Sequence, residues 1–190
     1  NGDAPSTFLN EYRDSDRQRK GFSTNTGVEW YINETASLTT SLVYRDSDNK
    51  SETTNSIIEL DQNGGLLNQS YRFDPEMEDD KTIQYSLNFD KQFDGNSEHK
   101  LTFDFQVENS KEDEKSIISQ DGDDAERVET LEEQNRVLLQ TDYVLPIGEV
   151  SQFEFGYRGN FNELDTDYTL EFKENGDYVL DTNVSNNLIY

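Results

Sequence analysis

Apolar and polar residues alternate along much of the chain with a period of two. Between Ile83 and Phe89 the odd positions are apolar and the even positions are polar, and the segments 101–108 and 153–162 repeat this pattern. Successive side chains of a β-strand point to opposite faces, so the alternation predicts strands with one apolar and one polar face. We expect an all-β fold, an antiparallel meander of long hairpins.

Turn-forming dipeptides divide the alternating segments. Asn63-Gly64, Asp121-Gly122 and Asn175-Gly176 supply the positive φ angles that tight hairpins need. They predict three long hairpins, at about 37–93, 100–145 and 152–190. Tight connections are expected between them at 33–36, 94–97 and 146–149. The long excursions and the short turns would then lie at opposite ends of the sheet.

Two further features set expectations for the regions between the strands. The charged segment Ser15–Lys20 reads as a loop that precedes a first strand from Phe22. Pro75 and Pro146 are expected outside the strands, because proline has no N–H to donate to a ladder.

The apolar face could meet a second sheet in a sandwich or lipid in a membrane barrel. The well-patterned segments are about ten residues long, which at a tilt near 45° spans an apolar band of about 25 Å. Outer-membrane barrels typically have short turns at one end and long excursions at the other. They also carry aromatic residues near the ends of the apolar segments, as Trp30, Phe93 and Tyr143 do here. The pattern favours part of a transmembrane β-barrel. Two alternatives remain open, a secreted acidic β-sandwich that binds or adheres with calcium stabilisation, and a β-rich hydrolase.

In a barrel, each parity of residues would face a different environment. The residues expected to face lipid are Val28, Trp30, Leu42, Leu87, Phe89, Phe103, Phe105, Leu139, Phe153 and Phe155. The residues expected to face the lumen are Arg45, Asn88, Asp90, Asp104, Gln106, Asp142, Glu154 and Arg158.

The composition is strongly acidic. Sixteen Lys and Arg against 41 Asp and Glu give a net charge of −25, which excludes electrostatic binding to nucleic acid. The acids cluster between the alternating segments at 76–80, 112–114 and 121–124, so we expect acidic, solvated loops above the membrane. Calcium prefers such carboxylates, but none of the clusters has the spacing of a calcium loop.

No catalytic or cofactor site emerges from the motifs. Cysteine is absent, which excludes disulfides, thiolate metal ligands and a cysteine nucleophile. His99 is the only histidine, and no nucleophile motif surrounds it. We therefore expect no enzyme activity, no cofactor and no metal.

Several segments resemble the barrel region of outer-membrane proteins of the TonB-dependent receptor type. These segments are Gly2–Asp16, Gln84–Phe89, His99–Phe105, Gln140–Pro146 and Phe155–Arg158. The resemblance implies a Gram-negative outer membrane, a barrel of about twenty-two strands with a plug, and energised import of a bound ligand.

The same resemblance implies the partners. These would be outer-membrane lipid, the remaining barrel strands and plug, TonB, and a surface lipoprotein. On this interpretation residues 1–190 form a partial barrel domain without a plug domain, and the first and last strands are unpaired edges.

Overall fold

The computed structural model describes residues 7–93 and 96–190. They form one antiparallel sheet in which β1 to β7 follow one another in chain order, and β8 pairs with β6. The strands are β1 (Thr7–Asn33), β2 (Ala36–Asp61), β3 (Leu66–Phe93), β4 (Asn96–Gln120), β5 (Asp123–Ile147), β6 (Ser151–Glu174), β7 (Asp177–Leu180) and β8 (Asn186–Ile189). The predicted meander of long antiparallel hairpins is confirmed.

The first six strands are much longer than the alternating pattern alone requires. They contain between 24 and 28 residues each, against about five or six in an average strand. Each continues past the apolar segment into the polar, acid-rich sequence. No helix among the described residues is long and apolar enough to span a bilayer.

The sheet is a single layer. All substantial contacts between strands join neighbours within the sheet, and no second sheet covers the apolar face anywhere in the described parts of the chain. Trp30 is 63% exposed and Phe155 is 58% exposed. The sandwich alternative is therefore wrong, because its aromatic residues would be buried between two layers.

Two of the three hairpin tips have the backbone conformation that their sequence predicts. Asp121 (φ 55°) and Gly122 (φ 94°) both adopt positive φ, as do Asn175 (φ 53°) and Gly176 (φ 98°). These tips are two-residue turns between long strands.

The tip at Asn63-Gly64 is built differently, because only Gly64 has positive φ there. The Asp61 side chain accepts hydrogen bonds at 2.8 Å from the backbone N–H of Asn63 and at 2.8 Å from that of Gly65. A local carboxylate thus organises this turn, as aspartate commonly does.

Three expectations about loops are wrong. Ser15–Lys20 lies inside β1, and the acidic segments 76–80 and 112–114 lie inside β3 and β4. Their backbone groups are paired with neighbouring strands, which satisfies the hydrogen bonds that a loop would leave to water. The segments predicted as loops are therefore strands with mainly polar residues on both faces.

The prolines also lie within strands. Pro75 is in β3 opposite Glu52, and Pro146 is in β5 opposite Gln152. The β3–β4 register runs from Phe73 to Glu76 without pairing Asp74 or Pro75. The missing proline N–H is thus accommodated by a gap in one ladder and not by the end of the strand.

The third hairpin departs from the regular pattern on its returning side. After the tip at Asn175-Gly176, β7 pairs with β6 for four residues, the chain leaves the sheet, and β8 then rejoins β6 opposite Asp165 to Tyr168. Of the tight connection expected at 94–97, Asp94 and Gly95 lie outside the described residues, and Asn96 begins β4.

Replacing Gly122 by Val tests the backbone requirement of the β4–β5 tip. A β-branched residue at this φ should destabilise the turn by about 1–3 kcal/mol. Hydrogen exchange of the tip amides should accelerate, while Ser119→Val, a strand position nearby, should leave it nearly unchanged. Equal exchange in both variants would contradict the assigned turn.

Candidate functional site

The strand register places all ten residues predicted to face lipid on one face of the sheet. Residues directly opposite each other on neighbouring strands share a face, so the even positions of β1 and β2 join the odd positions of β3 to β6. We call this the aromatic face. Leu87, for example, lies between Thr40 and Phe105. Which environment this face meets stays a prediction at this point.

The eight residues predicted to face the lumen all lie on the opposite face, which we call the polar face. The structure brings some of them together. Asn88 Nδ2 donates to Asp104 Oδ1 at 2.7 Å, and Gln140 Nε2 donates to Asp142 Oδ2 at 2.8 Å. Arg45 lies apart from them, nearer the hairpin tips. These residues form a wall and not one compact site.

Basic residues are separated by type between the two faces. All arginines except Arg127 lie on the polar face, and all lysines except Lys100 lie on the aromatic face. Arginine offers a planar fork for carboxylates and phosphates, whereas lysine is a strongly hydrated point charge. The parity of each basic residue within its strand indicates this separation in the sequence, but the sequence-based prediction did not include it.

The aromatic stripe ends at a clear boundary. Its last members are Tyr44 and Ile83 on β2 and β3, and Val107, Val137 and Phe161 on β4 to β6. In the next rows the aromatic face carries mainly charged residues, and single apolar residues such as Phe73, Met77 and Ile117 return nearer the hairpin tips. We call the strand segments between this boundary and the tips the distal half.

Several apolar residues of the distal half lie on the polar face. On β6 the aromatic face holds Phe153 to Phe161, whereas Leu164, Leu170 and Phe172 lie on the polar face. Ile118 and Ser116 on β4 also belong to the polar face and are only 5% and 7% exposed. The polar face, which carries amides and charges near the short turns, is therefore the better-packed face near the tips.

An arginine fork stabilises this packed region. Arg72 donates to the two carboxylate oxygens of Glu126 at 3.1 and 2.8 Å, and Ser116 donates to Asp74 at 2.6 Å. The fork holds the pKa of the Glu126 carboxyl below its ordinary value. A bidentate pair of this kind fixes the relative position of β3 and β5 across β4.

Between the fork and the end of the aromatic stripe, the polar face carries a group of carboxylates. Asp80, Glu112 and Glu132 are directly opposite one another on three successive strands. Burial, reinforced by repulsion from neighbouring acids, raises the pKa of Glu112 and of Glu114. Oxygens of Glu78, Asp80 and Glu112 lie within 4.8 Å of one another, a donor set that suits calcium but that acidic surfaces also display without an ion.

A cavity lies next to these carboxylates. It has a volume of about 510 Å³ and is lined by side chains of both signs, among them Arg19, Arg45, Asp80, Glu112 and Glu132. A second cleft of about 340 Å³ lies deeper on the polar face and is lined by Gln106, Arg136, Leu138, Arg158, Asn160 and Asn162. Both volumes are in the range of small-molecule sites.

His99 belongs to an aromatic cluster near the short turns. Its Nε2 is 2.9 Å from the Tyr143 hydroxyl, and its ring centroid is 4.6 Å from that of Phe93. Phe93, His99 and Tyr143 all lie on the aromatic face. Stacked amphipathic rings at the end of an apolar band fit an interfacial anchor.

An open antiparallel sheet with one aromatic face, one polar face and short turns at one end defines a segment of a membrane β-barrel wall. The comparison with known families agrees with this class. Residues 88–190 match the outer membrane protein beta-barrel family, and the chain belongs to that family. It therefore resides in the outer membrane of a Gram-negative bacterium, in contact with lipid. No curated protein matches the sequence.

The raised pKa values of Glu112 and Glu114 predict a pH dependence of the distal half. Because their folded pKa lies above the ordinary value of 4.5, the folded state binds more protons in that window, and stability falls as pH rises through it. Glu126 acts in the opposite direction, since its lowered pKa favours folding above its ordinary pKa, and this contribution is lost as pH falls.

Hydrogen exchange of residues 112–114, corrected for intrinsic rates, should therefore be slower close to the ordinary carboxyl pKa, at about pH 5, than at about pH 7.5. Glu112→Gln combined with Glu114→Gln should remove most of this difference. Asp113→Asn, at the intervening position on the other face, should preserve it. Protection that rises with pH in the unsubstituted protein would refute the repulsion between these carboxylates.

Proposed function

We propose that this sheet is part of the barrel wall of an outer-membrane receptor of the TonB-dependent type, which binds and imports a ligand. The supporting observation is that the register collects most of the aromatic residues of six strands on one face and most of the amides and arginines on the other. In this proposal the aromatic face meets lipid and the polar face lines the lumen. No catalytic step is part of it.

The lengths of the strands support a receptor whose barrel wall extends well above the membrane. About ten residues per strand cross an apolar band of about 25 Å at a tilt near 45°. At about 3.3 Å per residue and the same tilt, the remaining residues of each strand raise the barrel wall by roughly 30–40 Å. We place this distal half outside the cell, since long excursions of such barrels are extracellular. It would enclose a vestibule above the lumen.

The edges of the sheet support further partners. β1 pairs only with β2, and β6 beyond its contacts with β7 and β8 has no second neighbour among the described residues. Free strand edges cannot face lipid, so closure requires additional barrel strands. A plug filling the polar lumen, TonB as the source of energy and a surface lipoprotein at the vestibule complete the proposed assembly.

Phe105→Arg tests the orientation of the two faces. A charge on the lipid face near mid-membrane costs about 2–4 kcal/mol, so this variant of the full-length protein should assemble poorly into the outer membrane. Gln106→Arg places the same side chain one residue away on the lumen face and should assemble normally. The fraction that is heat-modifiable on electrophoresis measures assembly. The reverse ranking would exclude the proposed orientation.

Energised import requires a plugged barrel that binds TonB. The full-length protein in a planar bilayer should show no steady conductance, because a plug occludes the lumen. It should also bind the purified periplasmic domain of TonB in a titration. A large steady conductance together with no TonB binding would identify a passive pore instead.

A further inference from the structure

The cavity of about 510 Å³ on the polar face lies where the distal half begins. It borders the last rows of the proposed membrane band, so in the receptor it would open to the vestibule just above the lumen. Side chains from β1 to β6 reach it, and Leu164 adds an apolar surface. This position is where a solute would arrive before passage through the barrel.

The charges that line the cavity are separated across the sheet. The basic members on the polar face, Arg19 and Arg45, lie on β1 and β2, whereas Asp80, Glu112 and Glu132 lie on β3, β4 and β5. Acids directly opposite on adjacent strands repel one another. The arrangement creates a cavity with a positive side and a negative side.

These charges neutralise one another only in part. Arg19 Nη2 is 4.0 Å from Asp80 Oδ2 and also donates to Ser47 Oγ at 3.2 Å. Within residues 7–93 and 96–190, Arg45, Glu112 and Glu132 form no ion pair at 4.0 Å or less. Burial, reinforced by repulsion from neighbouring acids, also raises the pKa of Glu112, as expected for a carboxylate without a cationic partner.

The separation of the two sides limits the size of a bridging ligand. Arg45 on β2 and Glu112 on β4 are separated by two inter-strand spacings across the sheet and by two residues along the strand. Their backbones are therefore about 12 Å apart. Both side chains reach into the cavity, so the remaining gap is shorter. An extended peptide spans at most about 3.3–3.6 Å per residue, and two or three residues fit between the charges.

We propose that this cavity binds short peptides with free termini, the α-carboxylate at Arg45 and the α-ammonium at the carboxylates of Glu112 and Glu132. A zwitterion matches both sides at once, whereas a simple cation or anion leaves one side unpaired. This ligand class rests on the proposed receptor function and adds the chemical basis of its selectivity.

Binding of trialanine to the full-length protein in detergent, followed by calorimetry, tests the proposal. Free trialanine should bind saturably. Acetylation of its N-terminus or amidation of its C-terminus should each weaken binding about tenfold or more, the effect of one lost charge-assisted hydrogen bond. Blocking both termini should abolish binding.

Two variants assign the termini to the two sides. Arg45→Gln should weaken binding of free trialanine and remove the penalty for amidation, but keep the penalty for acetylation. Glu112→Gln should do the reverse. Arg13→Gln, which removes an arginine of β1 that lines neither cavity, is the matched control and should bind like the unsubstituted protein. Heat-modifiability confirms that each variant is folded.

Absence of saturable trialanine binding, or equal binding of the doubly blocked peptide, would overturn the proposal. A penalty at only one terminus would show a site for a cation or an anion alone, which also overturns it. The conductance and TonB tests do not depend on this ligand, so a negative result here with positive results there would remove the peptide assignment and leave the receptor function intact.

Discussion

The pairing register of the six long strands is the constraint on which the rest of the structure depends. Because side chains alternate with a period of two, a slip of one residue in any pair would exchange the two faces of that strand. The register instead joins the even positions of β1 and β2 to the odd positions of β3 to β6. Aromatic residues form one continuous surface for that reason, and the charged residues that can select a solute form another.

The two halves of the sheet share one register but differ in which face carries the well-packed side chains. Near the short turns the apolar side chains lie on the aromatic face, whereas near the tips the packed residues, such as Ile118, lie on the polar face. On β6 this change of face follows Phe161, the last member of the aromatic stripe. In the proposed receptor, lipid stabilises the first half from outside, and the distal half packs toward its own interior, where the Arg72–Glu126 fork joins β3 to β5.

Much of the fold could be predicted from the sequence because alternation is a local signal. Segments such as Ile83–Phe89 specify both a strand and its faces, and the Asp-Gly turn at 121–122 specifies a hairpin. The acidic segments could not be assigned this way, since Glu76–Asp80 is polar on both faces and looks like a loop. Its neighbours in the sheet, far away in sequence, supply the hydrogen bonds that make it a strand. The cavity likewise depends on residues from several strands, which no local pattern brings together.

The most direct test of the account is the environment of alternate residues on β4. The sequence contains no cysteine, so single cysteines carrying nitroxide labels can be placed from Leu101 to Val107 in the full-length protein in lipid bilayers. Accessibility to oxygen should peak at the odd positions, and accessibility to a water-soluble nickel complex should peak at the even positions. Equal profiles on both parities, or oxygen maxima at the even positions, would contradict a lipid-facing aromatic surface.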